Sequence, residues 1–128
     1  MAVIPYSTEE TDGNIRIVTW ANIANGDTCQ PYVGPHFSDC SAHVYGTFGA
    51  GGNLRMQGSN ETVAAPTAWV PLSDNIGNVL DFTSNGADVI GEHMYQIRPH
   101  PTAGDGTTAL TAKVMFTSNA QRWRAPGT

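Results

Sequence analysis

"VYGTFGAGGNLRMQGSNE", residues 44–61, sets four glycines into the seven positions 46–52, between two runs in which apolar and polar side chains alternate. A glycine loop that cradles phosphates must open a helix, because the free N–H groups and the dipole at the helix start hold the anion. The residues that follow, "NLRMQGSN", alternate with a strand's period of two. The spacing matches neither the dinucleotide pattern nor the P-loop, which also demands Lys and Ser or Thr. The loop therefore reads as the turn of a hairpin joining two strands.

The same period extends in both directions. "SAHVYGTF" sets Ala42, Val44, Gly46 and Phe48 on one face and His43, Tyr45 and Thr47 on the other. "NIRIVTWANI" upstream alternates Ile15, Ile17 and Thr19 against Arg16, Val18 and Trp20. Downstream, "AWVPLSD", "NVLDFTS", "DVIGEHMYQIRPH" and "TALTAKVMFTS" are separated by "SDNIGN", "TSNGAD" and "PTAGDGT", gaps that combine Gly with Asn or Asp, as tight turns require. Strands at that spacing, never alternating with helices, predict an all-β fold: a single antiparallel β-sandwich or jelly-roll domain over residues 14–117. Residues 1–13 and 118–128 keep neither period and are expected to be irregular N- and C-terminal arms.

Composition agrees. Of the 128 residues, 40% are hydrophobic and only 13% charged, about half the usual charged share, so Thr, Ser, Asn, Gln and Gly must build the polar faces. The net charge of -5 and only six Lys and Arg residues disfavour a nucleic-acid backbone or an anionic membrane as partner. "MAVIPYSTEE" lacks a basic and an apolar signal region, and no stretch is long enough to span a bilayer. A cytoplasmic site of synthesis is the expectation, and with it free thiols at Cys29 and Cys40.

Sites of chemistry are sparse. His36, Asp39, Cys40 and His43 lie within eight residues, but without Cys-x-x-Cys or paired-His spacing they read as a surface loop rather than metal ligands. No G-x-S-x-G nucleophile elbow occurs, and the carboxylates fall singly in turns. No catalytic residue, cofactor or metal is assigned. Trp20 and Trp69 are expected in the core; Tyr45 and Tyr95 are candidates for an exposed sugar-stacking platform. Trp123, flanked by Arg122 and Arg124 beyond the last strand, is an interface candidate, because Trp and Arg are enriched at binding hot spots. Ile4 and Tyr6 are the matching candidates in the N-terminal arm.

Three stretches, "WANIANGDTCQP", "VYGTFGAGGNLRMQGSNE" and "YQIRPHPTAGDGTTALTAKVMF", together resemble the head decoration, or cement, proteins of tailed bacteriophages, over roughly residues 17–117. The resemblance implies a β-sandwich or jelly roll on the outer surface of the virion capsid, bracing contacts between subunits of the major capsid protein. It also implies a homo-oligomer, dimer or trimer, without catalytic residues. A carbohydrate- or receptor-binding β-sandwich is the alternative that the aromatic side chains keep open.

Overall fold

The computed structural model describes residues 2–11, 14–33 and 39–117. Their strands are β1 (Val3–Ile4), β2 (Tyr6–Thr11), β3 (Ile15–Ile23), β4 (Thr28–Cys29), β5 (Tyr32–Val33), β6 (Asp39–Thr47), β7 (Asn53–Ser59), β8 (Val70–Pro71), β9 (Asp81–Phe82), β10 (Gly86–Ile90), β11 (Gln96–Ala103) and β12 (Ala109–Thr117). The fold is all-β. A first antiparallel sheet has the order β10-β6-β12-β3-β2, and a second has β5-β11-β7-β8 with β9 also on β7. A short parallel pair, β1 with β4, completes the pairing.

One apolar cluster draws on both sheets. Val18, Trp20, Val44 and Val114 come from the first; Leu54, Met56 and Ile97 come from the second. The fully buried Trp20 donates its indole N–H to the Gln30 carbonyl at 2.9 Å. Burial of its ring contributes roughly 3 kcal/mol and that hydrogen bond about 1, so apolar area is the larger effect. Asn22, at φ 58, absorbs one extra residue between Trp20 and Ile23 against Ala112 and Leu110. This bulge resets the alternation, so both Trp20 and Ile23 point into the core.

Four expectations need correction. The glycine loop joins strands, but it is no hairpin: β6 lies in the first sheet and β7 in the second. "DVIGEHMYQIRPH" is two strands in different sheets, interrupted at Gly91, whose N–H donates to the Ser73 carbonyl at 2.7 Å. "AWVPLSD" and "NVLDFTS" shrink to two-residue strands at the edge of β7. The described part of the N-terminal arm is paired along its length. Asp27 accepts from the Ala2 and Ala24 amides at 2.9 and 2.8 Å, β1 lies beside β4, and β2 forms an edge of the first sheet. Its polar run hid the strand because an edge strand exposed on both sides shows no buried face to alternate with, and Glu9 and Glu10 there discourage pairing with another edge. The C-terminal arm, 118–128, lies outside the described residues.

The two motifs richest in glycine meet at one end of the molecule. β6 and β12 are neighbours in the first sheet, β7 and β11 in the second, so the turns 48–52 and 104–108 cross between sheets side by side. Asp105 accepts from the Ala50 amide at 2.8 Å, and the Thr108 hydroxyl donates to the Phe48 carbonyl at 2.8 Å while accepting from the Asp105 amide at 3.0 Å. A Cβ on Gly52 would overlap the Phe48 carbonyl, whereas one on Gly51 would meet open space but at φ +68. Gly52→Ala is expected to cost about 2–3 kcal/mol, as overpacking does, and Gly51→Ala about 1 from the left-handed backbone alone. Urea denaturation of both variants checks the order; equal losses would mean that the close approach at Gly52 is not a constraint.

Candidate docking face

The cross-strand register of the first sheet fixes which side chains share its outer face. Val18, Trp20, Val44, Ala112 and Val114 point inward, so the intervening residues point out. One transverse row runs Val89, Ser41, Met115, Ile17 and Glu9 across β10, β6, β12, β3 and β2. Beside it stand Asp39, Thr117, Ile15 and Thr11. On the other side Ala87, His43, Lys113, Thr19 and Ser7 form a polar row, in which Lys113 reaches the Thr19 hydroxyl at 3.4 Å.

Val89 is 44% exposed and Met115 39%, with Ile15 and Ile17 half-buried beside them. Along this row an apolar stripe formed by Val89, Met115 and Ile17, interrupted by Ser41 and ended by Glu9, has polar rows beside it and the make-up of an interaction surface, whereas hydrophobic residues scattered singly need no explanation. β-Branched and apolar side chains at these positions also suit the pleated backbone.

The sequence candidates fall elsewhere. Trp123, Arg122 and Arg124 lie outside the described residues. Ile4 and Tyr6 do not reach outward as arm residues would: both pack partly buried on the chain's own core, and the Tyr6 ring stands edge-on to Trp20 at 6.0 Å and to Tyr32 at 5.1 Å. Strand pairing at β1 and β2 explains this, because it aims the Tyr6 side chain inward opposite Trp20. Tyr45 sits on the outer face of the first sheet against His43, with ring centroids 5.1 Å apart. Tyr95 precedes β11, and its amide donates to Asn60 Oδ1 at 2.9 Å. Trp20 is in the core as expected, but Trp69 is only half-buried and lies under the Arg98 guanidinium.

Of the metal candidates, His36 is outside the described residues. Cys40 and His43 are three apart on β6 and face opposite sides of the sheet, Cys40 inward opposite Ile90 and Phe116. Among the described residues no group of three or more His, Cys, Asp or Glu side chains is placed to hold a metal ion. Cys29 and Cys40 are both free thiols. Burial, first of all, pushes each up to about 12, with Asp39 adding to the effect at Cys40 and Asp27 at Cys29, where Arg98 acts the other way.

The stripe itself was missed because its row crosses five strands, and one strand's sequence does not contain the register. A partial signal existed in "NIRIVTW", which is apolar on both faces. No family model, curated protein or solved structure matches this chain.

Both thiols stay protonated in the folded protein up to high pH. A disulfide reagent at pH 8 is expected to label neither cysteine within minutes in buffer and both at once in denaturing urea. Prompt labelling of the native protein would contradict the burial described here.

Proposed function

We propose that the chain is a structural virion protein that binds the outer surface of an assembled phage capsid and braces contacts between its subunits. The observation that carries this reading is the row of exposed Val89 and Met115 with half-buried Ile17 on the outer face of the first sheet, in a domain with few charges. The major capsid protein is its partner, and a dimer or trimer of the chain presents several such faces at once. The likeness of three sequence stretches to phage decoration proteins supports the same assignment.

The architecture proposed for this role is a sandwich of the jelly-roll kind. Its support is the pair of two-stranded ribbons, β6 with β12 and β7 with β11, which continue into one another around the corner made by residues 48–52 and 104–108. Such a domain needs no catalytic step. A face of about 800 Å² per partner suffices for specific binding, and multivalent attachment raises the effective concentration of each further contact. Because the ligand is the assembled shell, binding shifts the disassembly equilibrium toward the shell by mass action.

The test is co-sedimentation with shells of the phage that encodes the chain, prepared without it. Saturable binding at a fixed copy number and a raised shell-disruption temperature are expected. The double variant Val89→Glu, Met115→Glu is expected to bind at least tenfold more weakly with an unchanged melting curve, since both residues are exposed. Deleting residues 119–128 should weaken binding or self-association while leaving the fold intact. Full-strength binding by the double variant would remove this face from the interface, and no binding by the wild-type chain would overturn the reading.

A further inference from the structure

The outer face of the second sheet carries a cation that has no counter-ion among the described residues. β11 and β7 set Arg98 opposite Gln57 and His100 opposite Arg55, all on the side away from the core, and β9 places Asp81 opposite Arg55. Arg55 is spoken for: its guanidinium grips both Asp81 carboxylate oxygens, at 2.7 and 3.0 Å. Arg16, on the first sheet, pairs with Glu10 at 2.7 Å. Arg98 differs from both. Its Nε–H donates to Gln57 Oε1 at 3.0 Å, its guanidinium carbon lies over the Trp69 ring, 4.1 Å from the centre, and among the described residues no carboxylate pairs with it.

The guanidinium is held there by construction. The strandless stretch after β7 is organised by Glu61, whose Oε1 accepts from the Thr67 and Ala68 amides at 2.7 and 2.6 Å. The buried Gln96 side chain ties the same stretch down through the Glu61 and Val63 carbonyls. Trp69 is thereby delivered over Arg98, and its indole N–H is satisfied by the Pro66 carbonyl at 3.0 Å. With Gln57 taking the Nε–H and the Trp69 ring beside the guanidinium carbon, the two terminal NH₂ groups have no hydrogen-bond partner among the described residues. A carboxylate fits that arrangement, because its two oxygens match two parallel N–H donors. Two positions further along the strand, His100 Nδ1 is buried with no hydrogen-bond partner among the described residues, so polar capacity beside Arg98 is unused there.

We propose that this face is a carboxylate-binding site in which the terminal NH₂ groups of Arg98, fixed by Gln57 and Trp69, grip the ligand's carboxylate. The site is independent of the apolar face on the first sheet. Its ligand is either a free small carboxylate or an acidic side chain presented by a partner protein; the chemistry recognised is the same.

The test is a titration of the ¹⁵N-labelled full chain with sodium acetate and, separately, with the blocked peptide acetyl-Ala-Glu-Ala-amide, against sodium chloride at matched ionic strength. The Arg98 Nε–H and Trp69 indole resonances are expected to shift saturably with acetate, with a Kd on the order of 10 mM for a single bidentate contact, and not with chloride. Peptide binding at least tenfold tighter assigns the site to an acidic side chain, and equal binding assigns it to free carboxylates; both support the site. Arg98→Gln should abolish the response and Lys113→Gln, on the other sheet, should leave it unchanged. Should Arg98→Gln fail to fold, Arg98→Lys keeps the charge but loses the fork and is expected to bind at least threefold more weakly. Chloride matching acetate, or either Arg98 variant titrating like the wild type, overturns the proposal.

Discussion

The contact on which the rest of this molecule depends is the one between two turns, 48–52 and 104–108, where Asp105 and Thr108 bind the backbone of the glycine loop. Through these turns a pair of neighbouring strands leaves one sheet and enters the other as a pair. Had either turn been longer or looser, β6 could slip against β12 and β7 against β11, and a slip of one residue would turn the slipped strand's core side chains outward. Hydrogen bonds to Asp105 from the Ala50 and Thr107 amides and the Thr107 hydroxyl hold its carboxyl below the ordinary value, the Thr107 side chain contributing most. The sign follows from that direction: this support is complete above the unfolded-state value and is lost as pH falls through the lowered one.

Fixing the two sheets this way leaves each with a defined outer face, and the faces differ in character. The first sheet offers an apolar row with polar flanks; the second offers Arg98, Arg55, Gln57 and His100. β11 also protects its own edge. The Met56 N–H and carbonyl bond toward Leu80 and Leu72, so the opposite residue Pro99 turns its backbone away from β7, and Pro101 follows by alternation. Two positions that lack an N–H thus line the side of that strand beyond β5, where a ladder hydrogen bond would otherwise be offered.

Much of this was legible in the sequence. Alternation in "SAHVYGTF" and "NLRMQGSNE" correctly gave two strands with Ala42, Val44, Leu54 and Met56 inward, because each strand has one buried side. The helix-free character followed from the same signal. What could not be read depended on partners distant in sequence. The glycine loop looked like a hairpin because local spacing says that two strands are joined, not whether they pair. β2 looked irregular because both its faces are exposed. Arg98 was silent because its neighbours, Gln57 and Trp69, lie 41 and 29 positions away, and only the fold brings them together.

Whether the outer face of the first sheet meets a capsid, as proposed, can be decided by hydroxyl-radical footprinting of methionine oxidation, with and without saturating shells. Met115 is exposed and Met56 fully buried, so one reports on the face and the other serves as an internal reference. Docking through this face would give strong protection of Met115 on the shell, with Met56 unreactive throughout. Met115 oxidising at the same rate in free and shell-bound protein would contradict it.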